Sequence, residues 1–465
     1  MTKIKFGTDG WRAIIAKEFT TDNVARVAYA TALWIKERTD NHTAVVGFDC
    51  RFGGKLFTET TISVLVDQGI SVYTSETFVS TPMVSLSTLK HNAFAGVVIT
   101  ASHNPPEYNG FKIKAHYGGP AIQSEIDAIE DKIPETFSPT IISFEELKKN
   151  KRVHMINMEK EYIDHLSNHF DIDRINACGL TFGYDAMYGA GQEVIKKLIP
   201  GAKLLHAEHN PSFDGQAPEP IARNLKEFSN LIANSSISCG LATDGDADRI
   251  GLFDENGDFV DSHHIILLLI RYLVEFKKET GHVYISFSCT SKIKTICDYY
   301  NLEHHVTKIG FKYICEKMIH NPTLLGGEES GGIAVKTHIP ERDGIWMGLI
   351  IWEYMALTGK SLNQLIQEVY KITGSFAMDR YDLHVPEAQK LIIVNNCKSL
   401  SYKKFGEYQV SGHENIDGYK FKLNDDNWVM IRPSGTEPVL RVYAQAPNAD
   451  EVIQILDATK QTILS

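Results

Sequence analysis

The alternation of apolar and polar positions sets a rhythm of strands and helices from the start of the chain. Residues 22–37, DNVARVAYATALWIKE, place apolar side chains at helical spacing behind Asp22, the predicted N-cap. Residues 43–49, TAVVGFD, are an unbroken apolar and β-branched run, the pattern of a buried strand. Residues 58–69 predict a second helix ended by Gly69, and residues 93–100 another strand. Strands alternating with helices imply a largely parallel sheet joined by right-handed crossovers.

The rhythm restarts near residue 179. Residues 179–199 read as strand, glycine-rich loop and helix; residues 240–260 read as strand, acidic loop and a hairpin turning at Glu255-Asn256-Gly257. A third restart near 260 gives a helix at 263–277, a strand at 282–287 and a helix at 291–300. After residue 374 the texture changes to strands with one exposed face, closed by a helix at 448–464. The charged stretch Lys148 to Arg152 predicts a hinge. The expected division is therefore 1–150, 151–256, 257–372 and 373–465.

At 465 residues the chain is too long for one core. Hydrophobic residues at 43% and charged residues at 23% place it among ordinary globular proteins. A net charge of −11 argues against nucleic acid as a partner, while leaving room for a small phosphorylated molecule in a locally basic cleft. The seven cysteines are scattered, with no C-x-x-C pair, which suits reduced thiols in the cytoplasm. The opening MTKIKFGTDGWR lacks the apolar core of a signal peptide. The longest apolar run, residues 265–270, is too short to span a bilayer, so no membrane partner is expected.

Four loops carry candidate chemistry, each at the end of a strand, where ligands bind in α/β sheets. In TASHNP, Ser102 follows a β-branched run, with His103 beside it and Lys112 further on. It reads either as an exposed nucleophile or as the cap of a strand-to-helix turn; the flanking residues are not the G-x-S-x-G elbow of a hydrolase. In TDGDADR, Asp244, Asp246 and Asp248 offer three carboxylates to one hard cation, Mg²⁺ or Ca²⁺. The alternatives are a solvated acidic turn and a calcium loop, although Arg249 stands where an EF-hand needs glycine. In GGEESGG, Glu328 and Ser330 sit among glycines and suit sugar hydroxyls; a plain glycine turn explains the pattern equally well. In RPSGTEP, Arg432, Ser434, Gly435 and Thr436 offer a guanidinium, hydroxyls and backbone N–H groups to a phosphate, or form a hairpin turn. Arg12 in GTDGWR, with Asp49 and Arg51 in GFDCR, joins them.

Taken in order, GTDGWR, TASHNP, DGDADR, GEESGG and RPSGTEP resemble the α-D-phosphohexomutase superfamily over essentially the whole chain. The resemblance implies an α/β architecture: three similar mixed α/β/α domains and a smaller C-terminal α+β domain around a central cleft. It implies that Ser102 is carried as a phosphoserine, that Asp244, Asp246 and Asp248 bind Mg²⁺ with it, and that Arg12 and His103 lie beside it. Lys112 is then a general acid/base, lowered in pKa by Arg12 and the metal; Arg249, Glu328, Ser330 and Arg342 bind substrate; and Arg432, Ser434, Gly435 and Thr436 hold the phosphate that is not reacting. Small-molecule hexose phosphates are the expected partners and glucose 1,6-bisphosphate the intermediate and activator, with monomer and dimer both open.

The motif GEESGG looks like the glucose-handling branch. Relatives acting on mannose or glucosamine phosphates commonly carry histidine where Gly332 stands, and dual-specificity relatives often carry histidine where Phe311 stands. The resemblance therefore implies a phosphoglucomutase. The alternatives are a phosphomannomutase or dual enzyme, a phosphopentomutase, a non-catalytic sugar-phosphate sensor, and a serine hydrolase acting through Ser102.

Overall fold

The computed structural model describes residues 3–434 and 439–465, and it divides into two compact units. The first comprises residues 1–284 and 310–366, the second residues 285–309 and 367–465.

In the first unit, strands β1 (Trp11–Ile14), β2 (Thr43–Phe48), β3 (Ser71–Thr74), β4 (Ala95–Ile99), β5 (Tyr108–Ala115) and β6 (Val153–Met155) form one sheet in the order β1-β5-β4-β2-β3-β6. The four strands from β4 to β6 are parallel, whereas β5 runs antiparallel to both β4 and β1. The sheet is therefore mixed, not simply parallel. The strand β6 follows the charged 148–152 stretch directly and pairs with β3, so the first sheet reaches past residue 150. The helix Thr21–Arg38 is capped by Thr20, whose side chain accepts from the Asn23 N–H; Asp22, the expected cap, sits inside the first turn two residues further on. The second helix begins earlier than its periodicity suggests, at Gly54, and runs to Asp67.

The second sheet repeats the plan. Strands β7 (Phe182–Asp185), β8 (Lys203–Leu205) and β9 (Cys239–Thr243) are parallel, and β10 (Ile250–Phe253) and β11 (Phe259–Val260) follow as an antiparallel hairpin beside β9. A third strand pair, Thr323–Gly327 with Ile333–Val335, is antiparallel with Gly327 opposite Ile333. In all three places a buried strand reverses through a short loop into an antiparallel neighbour. Those loops, at 100–107, 244–249 and 328–332, are the three sequence motifs. The Ser102 loop thus leads into a strand, and Ser102 caps no helix.

The helix Gly344–Thr358 (GIWMGLIIWEYMALT) is apolar on every side and buried along most of its length. Asp343 caps it by accepting from the Trp346 N–H. Its first residue must be small, because a Cβ at Gly344 would fall 2.2 Å from the backbone oxygen of Arg249.

The second unit carries an antiparallel sheet of Ala377–His384, Val439–Ala446, Trp428–Pro433, Tyr419–Lys422 and Gly412–Glu414, in that order. The helices Glu387–Lys398 and Ala449–Leu464 flank a core of Phe405, Phe421, Ile431, Leu440 and Ile455. The segment 285–309 belongs to this unit, with Phe287 packed against Trp428, Met430 and Tyr443. All seven cysteines are free thiols. No described helix is long and apolar enough to cross a membrane.

The close seating of Gly344 makes a prediction. Gly344→Ala forces the acidic loop away from its helix at a cost of about 1–3 kcal/mol. Thermal unfolding should therefore fall by a few degrees, with activity falling further than at a control such as Ala356→Gly.

Candidate active site

Ser102 lies in a left-handed backbone conformation (φ +54°), which a residue bearing a Cβ seldom adopts. The loop is held there by Arg51. Its guanidinium donates to the backbone oxygens of Ser102 (2.6 Å), Asn104 (2.6 Å), Pro105 (2.8 Å) and Tyr108 (3.1 Å). Arg51 is itself fixed by Asp49, whose Oδ1 accepts from the Arg51 N–H at 3.0 Å and whose Oδ2 lies 3.3 Å from its Nε. Thr100 completes the turn, donating its hydroxyl to Asp49 and accepting from the Ser102 N–H. Arg51 is thus a buried organiser of the serine loop.

The Ser102 side chain is fully buried and does not reach solvent as its place after a strand suggests. Its Oγ donates to Asp244 Oδ2 at 2.7 Å. The other Asp244 oxygen accepts the backbone N–H groups of Asp248 (3.0 Å) and Arg249 (3.1 Å), which folds the acidic loop around it. The two loops meet because each leaves the same edge of its own sheet.

Asp244, Asp246 and Asp248 are all fully buried and each offers an oxygen within 4.8 Å of the other two. Asp246 Oδ1 and Asp248 Oδ1 are buried with no hydrogen-bond partner. Orphaned carboxylate oxygens aimed into one spot fit a hard cation such as Mg²⁺. The strand that follows the loop, β10, where an EF-hand would have a helix, rules out the calcium-loop alternative.

The remaining oxygens of the triad are met by cations. Lys112 Nζ lies 2.7 Å from Asp246 Oδ2, 3.1 Å from Asp248 Oδ2 and 2.8 Å from Asp9 Oδ2. Arg342 bridges Asp248 (2.7 Å) and Asp9 (2.9 Å). Arg12 completes this network, donating to Asn104 Oδ1 at 2.7 Å and pairing with Asp9 at 3.2 Å. Burial alone would depress the Lys112 ammonium, but Asp246, Asp248 and Asp9 outweigh it and raise its pKa above the ordinary lysine value. Asp244 is pushed well above the usual carboxylate range by burial and by repulsion from Asp246 and Asp248. His103 Nδ1 stands 3.4 Å from Ser102 Oγ, and burial together with Arg249, Arg12 and Lys112 holds its pKa well below the usual value.

Arg249 is joined to the sugar-loop candidate through its backbone, by an isolated antiparallel bridge to Gly332. Glu328 is buried and accepts the Gly310 N–H at 2.8 Å, while Ser330 stands half-buried in the same turn. In the second unit, Arg432 pairs with Asp417 and the Ser434 N–H donates to the Val439 oxygen. Gly435 and Thr436 lie outside the described residues.

The structure thus brings together Ser102, His103, Lys112, Arg12, the three aspartates, Arg249, Arg342 and Glu328. Sequence reasoning missed Asp9, the shared acceptor of Lys112, Arg342 and Arg12, although it stands in the same glycine-flanked turn as Arg12. It also missed Glu341, which accepts from Lys114 (2.6 Å) and Ser85 (3.1 Å) in a fully buried contact. Thr81, which donates to Asp246, carried no local signal.

Burial is the largest influence on Glu328 and pushes its carboxyl up to about 7. The folded state therefore holds this proton more tightly than the unfolded chain, whose glutamate titrates near 4.5. Its stabilising contribution is complete below that value and fades as pH rises through about 7, by about 3 kcal/mol in all. Glu328→Gln should flatten this part of the stability profile, so that variant and wild type diverge between pH 5 and 8 in denaturant titrations.

Four domain models of phosphoglucomutase/phosphomannomutase match the chain: α/β/α domain I at residues 3–139, domain II at 160–257, domain III at 261–372 and the C-terminal domain at 392–461. A phosphoglucomutase/phosphomannomutase of Thermococcus kodakarensis is 30% identical over 97% of this chain and 96% of its own. A phosphoglucosamine mutase of Clostridium novyi is 29% identical over 98% of both. Among solved structures, a Thermus thermophilus protein crystallised as a candidate phosphomannomutase superposes with a TM-score of 0.87 at 30% identity, covering 100% of both chains. With all four domain models matched in order along its length, the chain belongs to the phosphoglucomutase/phosphomannomutase family of the α-D-phosphohexomutase superfamily.

Proposed function

We propose that this phosphohexomutase interconverts glucose 1-phosphate and glucose 6-phosphate, with Ser102 carrying the phosphoryl group between turnovers. The carrying observation is the 2.7 Å hydrogen bond from Ser102 Oγ to Asp244 within a triad in which Asp246 Oδ1 and Asp248 Oδ1 are buried without a hydrogen-bond partner. Neutral serine is a weak nucleophile and needs such a setting.

Asp244, Asp246 and Asp248 would hold Mg²⁺, which supplies charge neutralisation for a loose phosphoryl-transfer transition state. The phosphoryl on Ser102 passes to the 6-hydroxyl of the bound hexose 1-phosphate: the Ser102 O–P bond breaks and the O6–P bond forms. Lys112 is the group proposed to take the O6 proton once its carboxylate partners are neutralised. Glucose 1,6-bisphosphate then turns within the site and the second transfer runs in reverse: the O1–P bond breaks, the Ser102 O–P bond forms, and Lys112 returns its proton to O1. Arg12, His103 and Arg249 surround the transferring group; Glu328, Ser330 and Arg342 grip the sugar. Arg432, Ser434, Gly435 and Thr436 receive the phosphate at rest.

Gly332 supports glucose as the sugar. A Cβ there would fall 2.5 Å from Arg342 Cδ, so the missing side chain is space that Arg342 uses. The Arg342 guanidinium lies 5.3 Å over the Phe311 ring and beside Glu328. A fixed guanidinium disfavours a substrate whose 2-position is an ammonium. A glucosamine phosphate substrate is the second reading, favoured by the near-full-length likeness to the Clostridium novyi enzyme. A serine hydrolase is disfavoured: the Ser102 proton goes to Asp244, and His103 has no carboxylate hydrogen bond among the described residues.

Parallel assays with glucose, mannose and glucosamine 1-phosphates should show glucose highest, and equal or greater turnover of glucosamine would select the second reading. Gly332→His is expected to lower glucose 1-phosphate turnover about tenfold. Ser102→Ala should abolish turnover and remove a phosphoryl-sized increment from the intact mass. EDTA should silence the enzyme and Mg²⁺ restore it; activity indifferent to chelation would remove the metal role of the triad.

A further inference from the structure

The second unit contains an ion pair that the reaction scheme does not use. Arg432 presents its Nε to Asp417 Oδ1 (3.3 Å) and one terminal nitrogen to Asp417 Oδ2 (3.4 Å). This is a side-on fork in which one face of the guanidinium is taken by a carboxylate. A guanidinium has five N–H donors, and Asp417 meets only Nε and one terminal nitrogen, so the other terminal nitrogen lies outside this pair. An arginine held in this way is pre-oriented: its charge remains, but its rotamer is fixed before an anion arrives.

Asp417 does a second thing. Its Oδ2 also accepts the backbone N–H of Ile309 at 2.9 Å. Ile309 is the last residue of the 285–309 segment, where the chain leaves the second unit. The Ile309 N–H thereby fixes the carboxylate from one side while Arg432 meets it from the other, all within the second unit.

We infer that Asp417 is a positioning residue for phosphate recognition: its carboxylate, anchored by the Ile309 N–H, orients Arg432. The inference rests on the reading of Arg432 as a ligand of the non-reacting phosphate. Asp417 itself touches no substrate. Its effect is expected on substrate capture, with phosphoryl transfer at Ser102 left alone once the sugar phosphate is seated.

The test is a kinetic double-mutant cycle with glucose 1-phosphate and Mg²⁺, run on the full-length enzyme with Asp417→Asn, Arg432→Ala and the combination. Asp417→Asn keeps an acceptor for the Ile309 N–H and removes the charge. It should raise KM about tenfold while kcat stays within about threefold, and weaken inhibition by inorganic phosphate in parallel. Arg432→Ala should raise KM at least as much, and adding Asp417→Asn to it should change KM no further. Additive effects, or an unchanged KM in Asp417→Asn while Arg432→Ala raises it, would overturn the positioning role alone. An unchanged KM in Arg432→Ala would instead overturn the phosphate-site reading beneath it. Should Asp417→Asn lower kcat and the melting temperature together with KM unmoved, the residue is structural and the inference fails. Asp417→Glu, which restores the charge, should recover most of the lost affinity.

Discussion

Three aspartates buried within 4.8 Å of one another are the constraint around which the first unit is arranged. Like charges at that range in a poorly hydrated interior repel strongly, and desolvation adds to the cost of keeping them ionised. The chain answers with Lys112 and Arg342, and with Asp9 as a common counter-charge that stops the two cations from repelling each other apart. Every loop of the site is fastened to this cluster. The serine loop reaches it through Ser102 and Asp244, the helix Thr81–Lys90 through Thr81, and strand β5 through Lys112.

The position of the cluster follows from topology. A parallel strand carries its loop to the C-terminal edge of the sheet, and the antiparallel neighbour takes the chain straight back. The chain uses this step in β4–β5 and β9–β10, and the strand Thr323–Gly327 likewise reverses into an antiparallel neighbour. Each reversal is short enough to leave little slack, so side chains on the loops are held by the strands themselves. Where the backbone would resist, Arg51 supplies the restraint, holding Ser102 in its strained conformation through four carbonyl oxygens.

Much of this was legible in the residues. The strand and helix rhythm located the cores of most elements because burial imposes the period, and the acidic loop stood out because three carboxylates at alternate positions can converge on one point. Helix starts were less legible. Thr20 displaced Asp22 as the cap because either side chain suits that place and tertiary packing decides between them. Strand β5 was missed for a similar reason: it carries Lys112 and Lys114, whose charges hide a strand until their buried partners Asp246 and Glu341 are known. Asp9 and Glu341 were invisible as functional groups because their importance lies in what distant segments bring to them. That Lys112 meets Asp246 and Asp248 at contact distance is likewise something no spacing in the sequence reveals.

The single bridge between Arg249 and Gly332 joins the acidic loop to the loop proposed to read the sugar. A lineage that drifts toward a new hexose by altering residue 332 also disturbs the backbone beside the triad, so innovation in selectivity and upkeep of the chemistry are inherited as one trait. Such coupling would confine viable evolutionary paths to those in which a partner change, at Arg342 above all, arrives first.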